Sequence, residues 1–437
     1  MNQPRRLFAL LPNLPNSARV LRYPAGIIAA LAAASMLTAG INPSVEAALD
    51  DSPKTVIDEV WQIVNNEFVH YNFDRTAWVA IREDLLGRDY RSSEEAYDAI
   101  RKALRTLNDP YTRFLPPKQF EALTNQTAGE LSGVGLRLEV NPRTKILTVV
   151  EPLENSPASD AGILPGDKIL KIDGKPTALM TVEQASELIR GEEGTEITLQ
   201  LSRATEGVLD LTLTRSKIEV PVLHYSLKQE GQMRVGYLRL DEFSSHAAEQ
   251  MKKAIASLQA EAVEGFVLDL RGNPGGLLFA SVDIARMWME TGTIVSTVDR
   301  KGGDREYTAN RTAITNLPLV VLVDGNSASA SEILAGALKD SGRATVVGTR
   351  TFGKGTVQSV HPLADGSGVA VTISRYYPPS GIDINKKGIA PDVQFDLTRP
   401  QENLLGRNPS LRGTSDDPQY RRAVSVLSRN RLSQFVP

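Results

Sequence analysis

Leu317-Pro-Leu-Val-Val-Leu-Val-Asp-Gly-Asn-Ser-Ala-Ser-Ala-Ser-Glu-Ile-Leu334 reads as strand, turn and helix in immediate succession. Leu319 to Val323 is apolar without a break, the pattern of a strand buried on both faces. Asp324-Gly-Asn-Ser327 supplies turn residues, and good helix formers follow from about Ala330 to Leu338. The same unit precedes it. Gly265-Phe-Val-Leu-Asp-Leu270 ends in Arg271-Gly-Asn-Pro-Gly-Gly276, with a helix expected from about Leu277 to Met289. Downstream, Thr345-Val-Val347 runs into the loop Gly348-Thr-Arg-Thr-Phe-Gly-Lys-Gly355. Repeated strand–turn–helix units predict an α/β fold, and sites in such sheets form where strands end. Three adjacent strand ends here carry a glycine turn, a serine and a lysine.

Those residue types suggest acyl-transfer chemistry. A serine hydroxyl becomes a nucleophile only beside a base. Lys354 qualifies if burial strips its proton, and Phe352, Val357 and the flanking glycines offer an apolar setting. Most loop lysines are simply solvated, so the assignment rests on the pairing with Ser329. Ser327 and Ser331 compete for the nucleophile role. Ser329 is favoured by its place in the turn, whereas Ser327 reads as an N-cap and Ser331 falls inside the first turn. Gln358 follows Lys354 by four residues, and a strand from Thr356 to Val360 would put both on one face, where the amide could orient the amine. The N–H of Ala330, and that of Gly275 or Gly276, are candidate oxyanion donors. A tight turn alone would need the same glycines. Glu332 and Asp340 are assigned to holding the helix.

Composition narrows the alternatives. The chain has 437 residues, 41% hydrophobic and 23% charged, with a net charge of -3, an ordinary globular balance without a nucleic-acid footprint. It has no cysteine, and its four histidines (His70, His224, His246, His361) are scattered, so no metal site and no cofactor is expected. Arg5, Arg6, Arg19 and Arg22 precede an uncharged run from Tyr23 to Val45, and Val45-Glu-Ala47 fits a cleavage site. Residues 1–47 therefore read as a secretory signal, the alternative being an uncleaved membrane anchor. Residues 48–127 show helical periodicity, with Ser92-Ser-Glu-Glu95 as a capping box and Asn108-Asp-Pro110 as a stop. They carry no polar cluster suggesting chemistry.

Residues 128–218 change to short strands with one helix, Val182 to Ile189. Ser132-Gly-Val-Gly-Leu136, Ser156-Pro-Ala158, Ala161-Gly-Ile-Leu-Pro-Gly-Asp167 and Ile172-Asp-Gly174 occur in the order that resembles a PDZ domain. Such domains bind a peptide C-terminus as an added strand and hold its carboxylate on backbone N–H groups. The resemblance assigns that role to Gly133, Val134, Gly135 and Leu136.

The mature chain as a whole resembles the carboxyl-terminal processing, or tail-specific, proteases. The carriers are Asp269-Leu-Arg-Gly-Asn-Pro-Gly-Gly276, Ser327-Ala-Ser-Ala-Ser-Glu-Ile-Leu-Ala-Gly336, Gly348 to Gly355 and Gly388-Ile-Ala-Pro-Asp392. The resemblance implies a Ser-Lys dyad of Ser329 and Lys354 supported by Gln358, with oxyanion donors on the Pro-Gly-Gly turn and Ala330. It implies a crotonase- and Clp-like core at 219–437, joined to the PDZ domain and an N-terminal helical domain. The partner would be a protein substrate with a free C-terminus. Asn108-Asp-Pro-Tyr-Thr-Arg-Phe-Leu-Pro-Pro117 and Tyr376-Tyr-Pro-Pro-Ser-Gly381 resemble the photosynthetic branch, which matures a photosystem II reaction-centre precursor in the thylakoid lumen. A general periplasmic tail-specific protease and a non-catalytic PDZ adaptor are the alternatives. Two further readings are weaker. Gly348 to Lys354 matches most of a P-loop, but Gly355 stands where the Ser or Thr belongs and a strand is expected after it. His361 and Asp365 would have to reach Ser329 to build a Ser-His-Asp triad.

Overall fold

The computed structural model describes residues 8–10, 52–70, 73–141 and 143–434. The predicted export signal, 1–47, lies outside them apart from residues 8–10. The described chain divides into two compact units, one of residues 1–128 and 222–437, the other of residues 129–221.

The larger unit is built on a six-stranded sheet. Its order is Leu223–Glu230, Met233–Leu240, Gly265–Asp269, Leu319–Val323, Thr345–Gly348 and Val393–Gln394. The first pair is antiparallel and all others are parallel. Successive side chains on a strand face opposite ways, so each central strand feeds two cores. Val321 and Val323 join Leu268, Leu238 and the helices Ala247–Ala260, Leu278–Arg286 and Ala330–Asp340 on one side. Val320 and Leu322 face the other side, where Tyr420, Ala423 and Leu427 of helix Pro418–Gln434 cover them. The uninterrupted apolar strands of the sequence are thus those buried on both faces.

A second, antiparallel sheet orders Thr356–Pro362, Gly368–Tyr377, Thr293–Asp299 and Asp304–Thr308, with Arg113–Leu115 added along Gly368–Tyr377. The backbone of Phe8–Leu10 pairs antiparallel with Gly276–Leu277 on one side and with Gln358–Ser359 on the other. Helices Pro53–Glu67, Arg75–Gly87 and Ser93–Arg105 build a separate core with Phe114, Val369 and Val371. They are therefore packed onto this second sheet, within the larger unit. Ser92 caps its helix through the N–H of Glu95, but the Glu95 carboxylate accepts from Arg91 N–H at 2.9 Å rather than closing the expected box on Ser92.

The smaller unit is an antiparallel sheet in the order Leu136–Val140, Leu147–Pro152, Lys168–Ile172, Glu196–Arg203, Gly207–Thr214. Helix Val182–Ile189 closes it through Ala185 and Ile189, and begins with a full capping box between Thr181 and Gln184. The turn at Asp173-Gly174 has φ of 47° and 74°, the double positive φ of a hairpin turn that suits the strand twist. Leu136–Val140 is an edge strand of this sheet.

Candidate active site

Ser329 stands directly before helix Ala330–Asp340, as its N-cap. Its backbone has φ 62° and ψ -115°, a region that disfavours any residue with a Cβ and costs about 1–3 kcal/mol. The cap expected of Ser327 thus belongs to Ser329. The Ser327 hydroxyl instead donates to Leu270 O at 2.8 Å and accepts from Asp324 N–H at 2.9 Å. The Ser331 hydroxyl donates to Asn273 O at 3.0 Å. Of the three serines, Ser329 alone has a buried hydroxyl with no hydrogen-bond partner.

The lysine loop is joined to this turn by one side chain. Glu332, buried in the first turn of the helix, accepts four hydrogen bonds. Oε2 takes Ser329 N–H at 2.8 Å and Lys354 N–H at 2.9 Å. Oε1 takes Thr351 Oγ1 at 2.6 Å and Gly353 N–H at 2.7 Å. Nucleophile and base candidates therefore hang from the same carboxylate oxygen. Burial pushes the Glu332 carboxyl above its usual range, against the pull of its donors.

Lys354 is fully buried, and its amine has no hydrogen-bond partner. Burial drives its pKa well below the ordinary lysine value; the Arg113 charge pushes the same way, while Asp109 and Glu332 oppose. Phe352 does not provide the expected shield, being 50% exposed; instead the amine lies 4.7 Å from the ring centroid of Tyr111. Gln358 is likewise buried but does not reach the amine. A bulge in the pairing of Thr356–Pro362 with Gly368–Tyr377 falls between Val357 and Gln358. The Gln358 amide donates to Thr356 Oγ1 at 3.0 Å and Thr372 Oγ1 at 3.2 Å.

The glycine turn meets the serine turn at close range. A Cβ on Gly275 would lie 2.8 Å from Ser329 Cβ and 3.0 Å from Ala330 N, so no other residue fits there. The Gly275 N–H donates to Asn273 Oδ1 at 2.8 Å, and the Gly276 backbone pairs with Leu10. The N–H groups of Gly275, Gly276 and Ala330 are the oxyanion candidates. Asn273 also holds Leu240 O through its amide, at 2.8 Å. Behind the turn, Arg271 bridges Asp269 and Asp417, both fully buried, with Tyr237 donating to Asp269 at 2.7 Å. This network clamps the turn to the C-terminal helix. A buried ion network of this kind contributes geometry more than net stability.

The rival constellations do not assemble. His361 pairs with Glu67 at 3.0 Å, and Asp365 accepts from Tyr97 OH at 2.5 Å and from Ser367 N–H at 3.0 Å. Lys354 leads into the strand Thr356–Pro362, not into the helix a P-loop opens. In the smaller unit, Gly135 has φ 80° and a Cβ there would strike Ser156 Cβ at 2.3 Å. Val134 is buried and its carbonyl accepts Ala158 N–H at 2.8 Å. Gly133 and Leu136 end and begin the two strands that flank this bend.

Comparison with known proteins identifies a peptidase family and a PDZ domain. The model of peptidase family S41 matches residues 234–395, and a PDZ-domain model matches residues 148–203. The chain is 44% identical over 361 residues to a carboxyl-terminal-processing protease of Synechocystis sp., covering 82% of this chain and 84% of that protein. It is 39% identical to a chloroplastic C-terminal processing peptidase of Tetradesmus obliquus, covering 77% and 76% respectively. Among solved structures, the photosystem II D1 C-terminal processing protease aligns over 84% of this chain and 99% of its own, with 37% identity and a TM-score of 0.52.

Two substitutions test the site. Lys354→Met keeps the apolar stem and removes the amine, and cleavage should cease. Because burial lowers the Lys354 pKa in the fold, the unfolded chain binds more protons in the range between the lowered and the ordinary value, and there wild-type stability rises with pH, up to about 10.4. In denaturant unfolding the variant should be the more stable protein at neutral pH. Its advantage should shrink toward alkaline pH by up to about 1.4 kcal/mol per pH unit. An advantage independent of pH would mean the amine is not neutral in the fold. Glu332→Gln turns one acceptor oxygen into a donor facing other donors. It should destabilise the protein by about 1–3 kcal/mol and lower kcat, measured by unfolding and by peptide hydrolysis.

Proposed function

This chain belongs to peptidase family S41, and we propose that it is an exported endopeptidase that trims the C-terminal extension of a protein substrate with a Ser329–Lys354 dyad. The observation that carries the reading is the pair of buried, unpartnered atoms Ser329 Oγ and Lys354 Nζ, whose backbones share one Glu332 oxygen. A neutral amine and a free hydroxyl tethered to one another are what a lysine-assisted nucleophile requires.

Capture begins at residues 129–221. The bend Gly133 to Leu136 offers backbone N–H groups to the substrate's terminal carboxylate, and the open edge of Leu136–Val140 takes the tail as an additional strand. In the larger unit, the interval between Gly276–Leu277 and Gln358–Ser359 is one strand wide, as its pairing with Phe8–Leu10 supports. A substrate segment extended there brings its carbonyl to Ser329. Lys354 takes the hydroxyl proton as Oγ attacks, and the oxyanion is held between Ala330 N–H and the Gly275–Gly276 turn. Collapse of the tetrahedral intermediate breaks the peptide bond, and the lysine proton passes to the leaving amine. Lys354 then deprotonates the water that resolves the acyl-enzyme. The relatives from Synechocystis and chloroplasts, and the basic-then-apolar start of the chain, support work in a thylakoid lumen or periplasm, and the likeness to the photosystem II D1 C-terminal processing protease supports a photosystem II reaction-centre precursor as substrate.

The test is intact-mass analysis of a D1-type precursor incubated with the wild type, Ser329→Ala and Lys354→Ala. Both variants should lose about 10³-fold or more in rate. Normal trimming by Lys354→Ala would overturn the base, and normal trimming by Ser329→Ala the nucleophile. Amidating the precursor's C-terminus should raise KM sharply, and an unchanged KM would remove the carboxylate from recognition.

A further inference from the structure

The segment Asn108-Asp-Pro-Tyr-Thr-Arg-Phe-Leu115 links helix Ser93–Arg105 to the second sheet and has no part in the mechanism so far. Its polar residues nonetheless converge on the base. Tyr111 lays its ring against the Lys354 amine at 4.7 Å. Asp109 Oδ2 accepts Thr372 Oγ1 and Thr112 Oγ1, each at 2.6 Å, and Thr112 N–H at 3.1 Å. Thr372 in turn accepts the Gln358 amide at 3.2 Å, and Thr372 N–H donates to Thr112 Oγ1 at 3.1 Å. Arg113 starts the strand that pairs with Gly368–Tyr377, and its Nε is buried with no hydrogen-bond partner.

We propose that Asp109, Tyr111 and Arg113 are positioning residues of the catalytic centre: Tyr111 seats the Lys354 side chain, Asp109 holds Gln358 through Thr372, and Arg113 fixes their segment along the strand Gly368–Tyr377 that carries Thr372. The proposal rests on the reading of Lys354 as base. A lone amine in an apolar pocket is neutral but unaimed. The Tyr111 ring face limits where the amine can turn. The groups that act electrically on Lys354 are Arg113, Asp109 and Glu332. Around them stand the rings of Tyr111 and of Tyr376, whose hydroxyl donates to Ser329 O at 3.2 Å. Arg113 disfavours the protonated amine, and Asp109 and Glu332 favour it. Arg113, whose Nε is buried without a hydrogen-bond partner, thus opposes protonation of the amine. The helical segment therefore contributes to the chemistry as well as to packing.

The experiment is the pH dependence of kcat/KM on a quenched-fluorescent peptide with a free C-terminus, whose acid limb reports the free enzyme's base. Arg113→Gln should move that limb to higher pH by about one unit, because a like charge is removed. Asp109→Asn should move it the opposite way. Tyr111→Leu, which removes the ring face against the amine, should lower kcat at every pH without moving the limb. Opposite displacements by Arg113→Gln and Asp109→Asn are the signature, and either variant alone still gives a signed answer if the other fails to fold. Limbs that coincide with wild type while kcat falls would reduce the loop to packing and overturn the proposal. If Lys354→Ala remains active, the base assignment has failed instead, whatever the loop variants do.

Discussion

A single carboxylate organises the catalytic half of this molecule. Glu332 projects from the first turn of a helix and collects donors from Ser329 behind it and from Thr351, Gly353 and Lys354 on a separate loop. It is the junction through which the serine turn and the lysine loop are held together, at Ser329 and Lys354. Four donors converging on two oxygens also explain why a buried acid is tolerated there, since an unmatched one would cost several kcal/mol. The strained backbone at Ser329 depends on the same junction. A positive φ on a serine persists only where its surroundings over-determine it. Here the helix, the Glu332 carboxylate and the Gly275 contact all press on one residue.

Around this junction the fold acts as a set of clamps of decreasing intimacy. Asn273 fixes the glycine turn against Leu240, Ala328 and Ser331. Arg271, between Asp269 and Asp417, ties that turn to the C-terminal helix. Tyr376 reaches the carbonyl of Ser329 from the second sheet. Arg271 and Asn273 belong to the glycine turn itself, and Tyr376 to the second sheet. The site is therefore rigid where it must be, although its residues lie on turns.

Period and composition locate the buried strands, and the helix Val182–Ile189 falls within the bounds its pattern marks. Ser329 and Lys354 stand out in the sequence because small-residue turns and a lysine flanked by glycines are locally unusual. The parts that escape a sequence reading are those whose meaning lies in partners far along the chain. Glu332 looks like any first-turn acid until the loop carrying Gly353, 21 residues on, is folded against it. Tyr111 and Arg113 sit in a segment that reads as a helix stop and a short strand. Only the pairing of Arg113–Leu115 with Gly368–Tyr377 carries them to the lysine. Ser327 passes for the cap because cap preference ranks residue types but not which of three neighbouring serines turns inward. Strand parity points Gln358 at the amine, and the bulge beside it breaks that parity.

The peptide-binding module interrupts the catalytic chain instead of preceding or following it. Its first and last strands, Glu130–Gly133 and Ser216–Glu219, run side by side, and Val220 N–H closes on Gly129 O at 2.8 Å. Entry and exit are therefore neighbours, the arrangement in which inserted segments are best tolerated. Such a cassette can diverge, or be exchanged for another, without altering the length or path of the host polypeptide on either side. The PDZ domain and the peptidase around it are thereby left free to evolve apart.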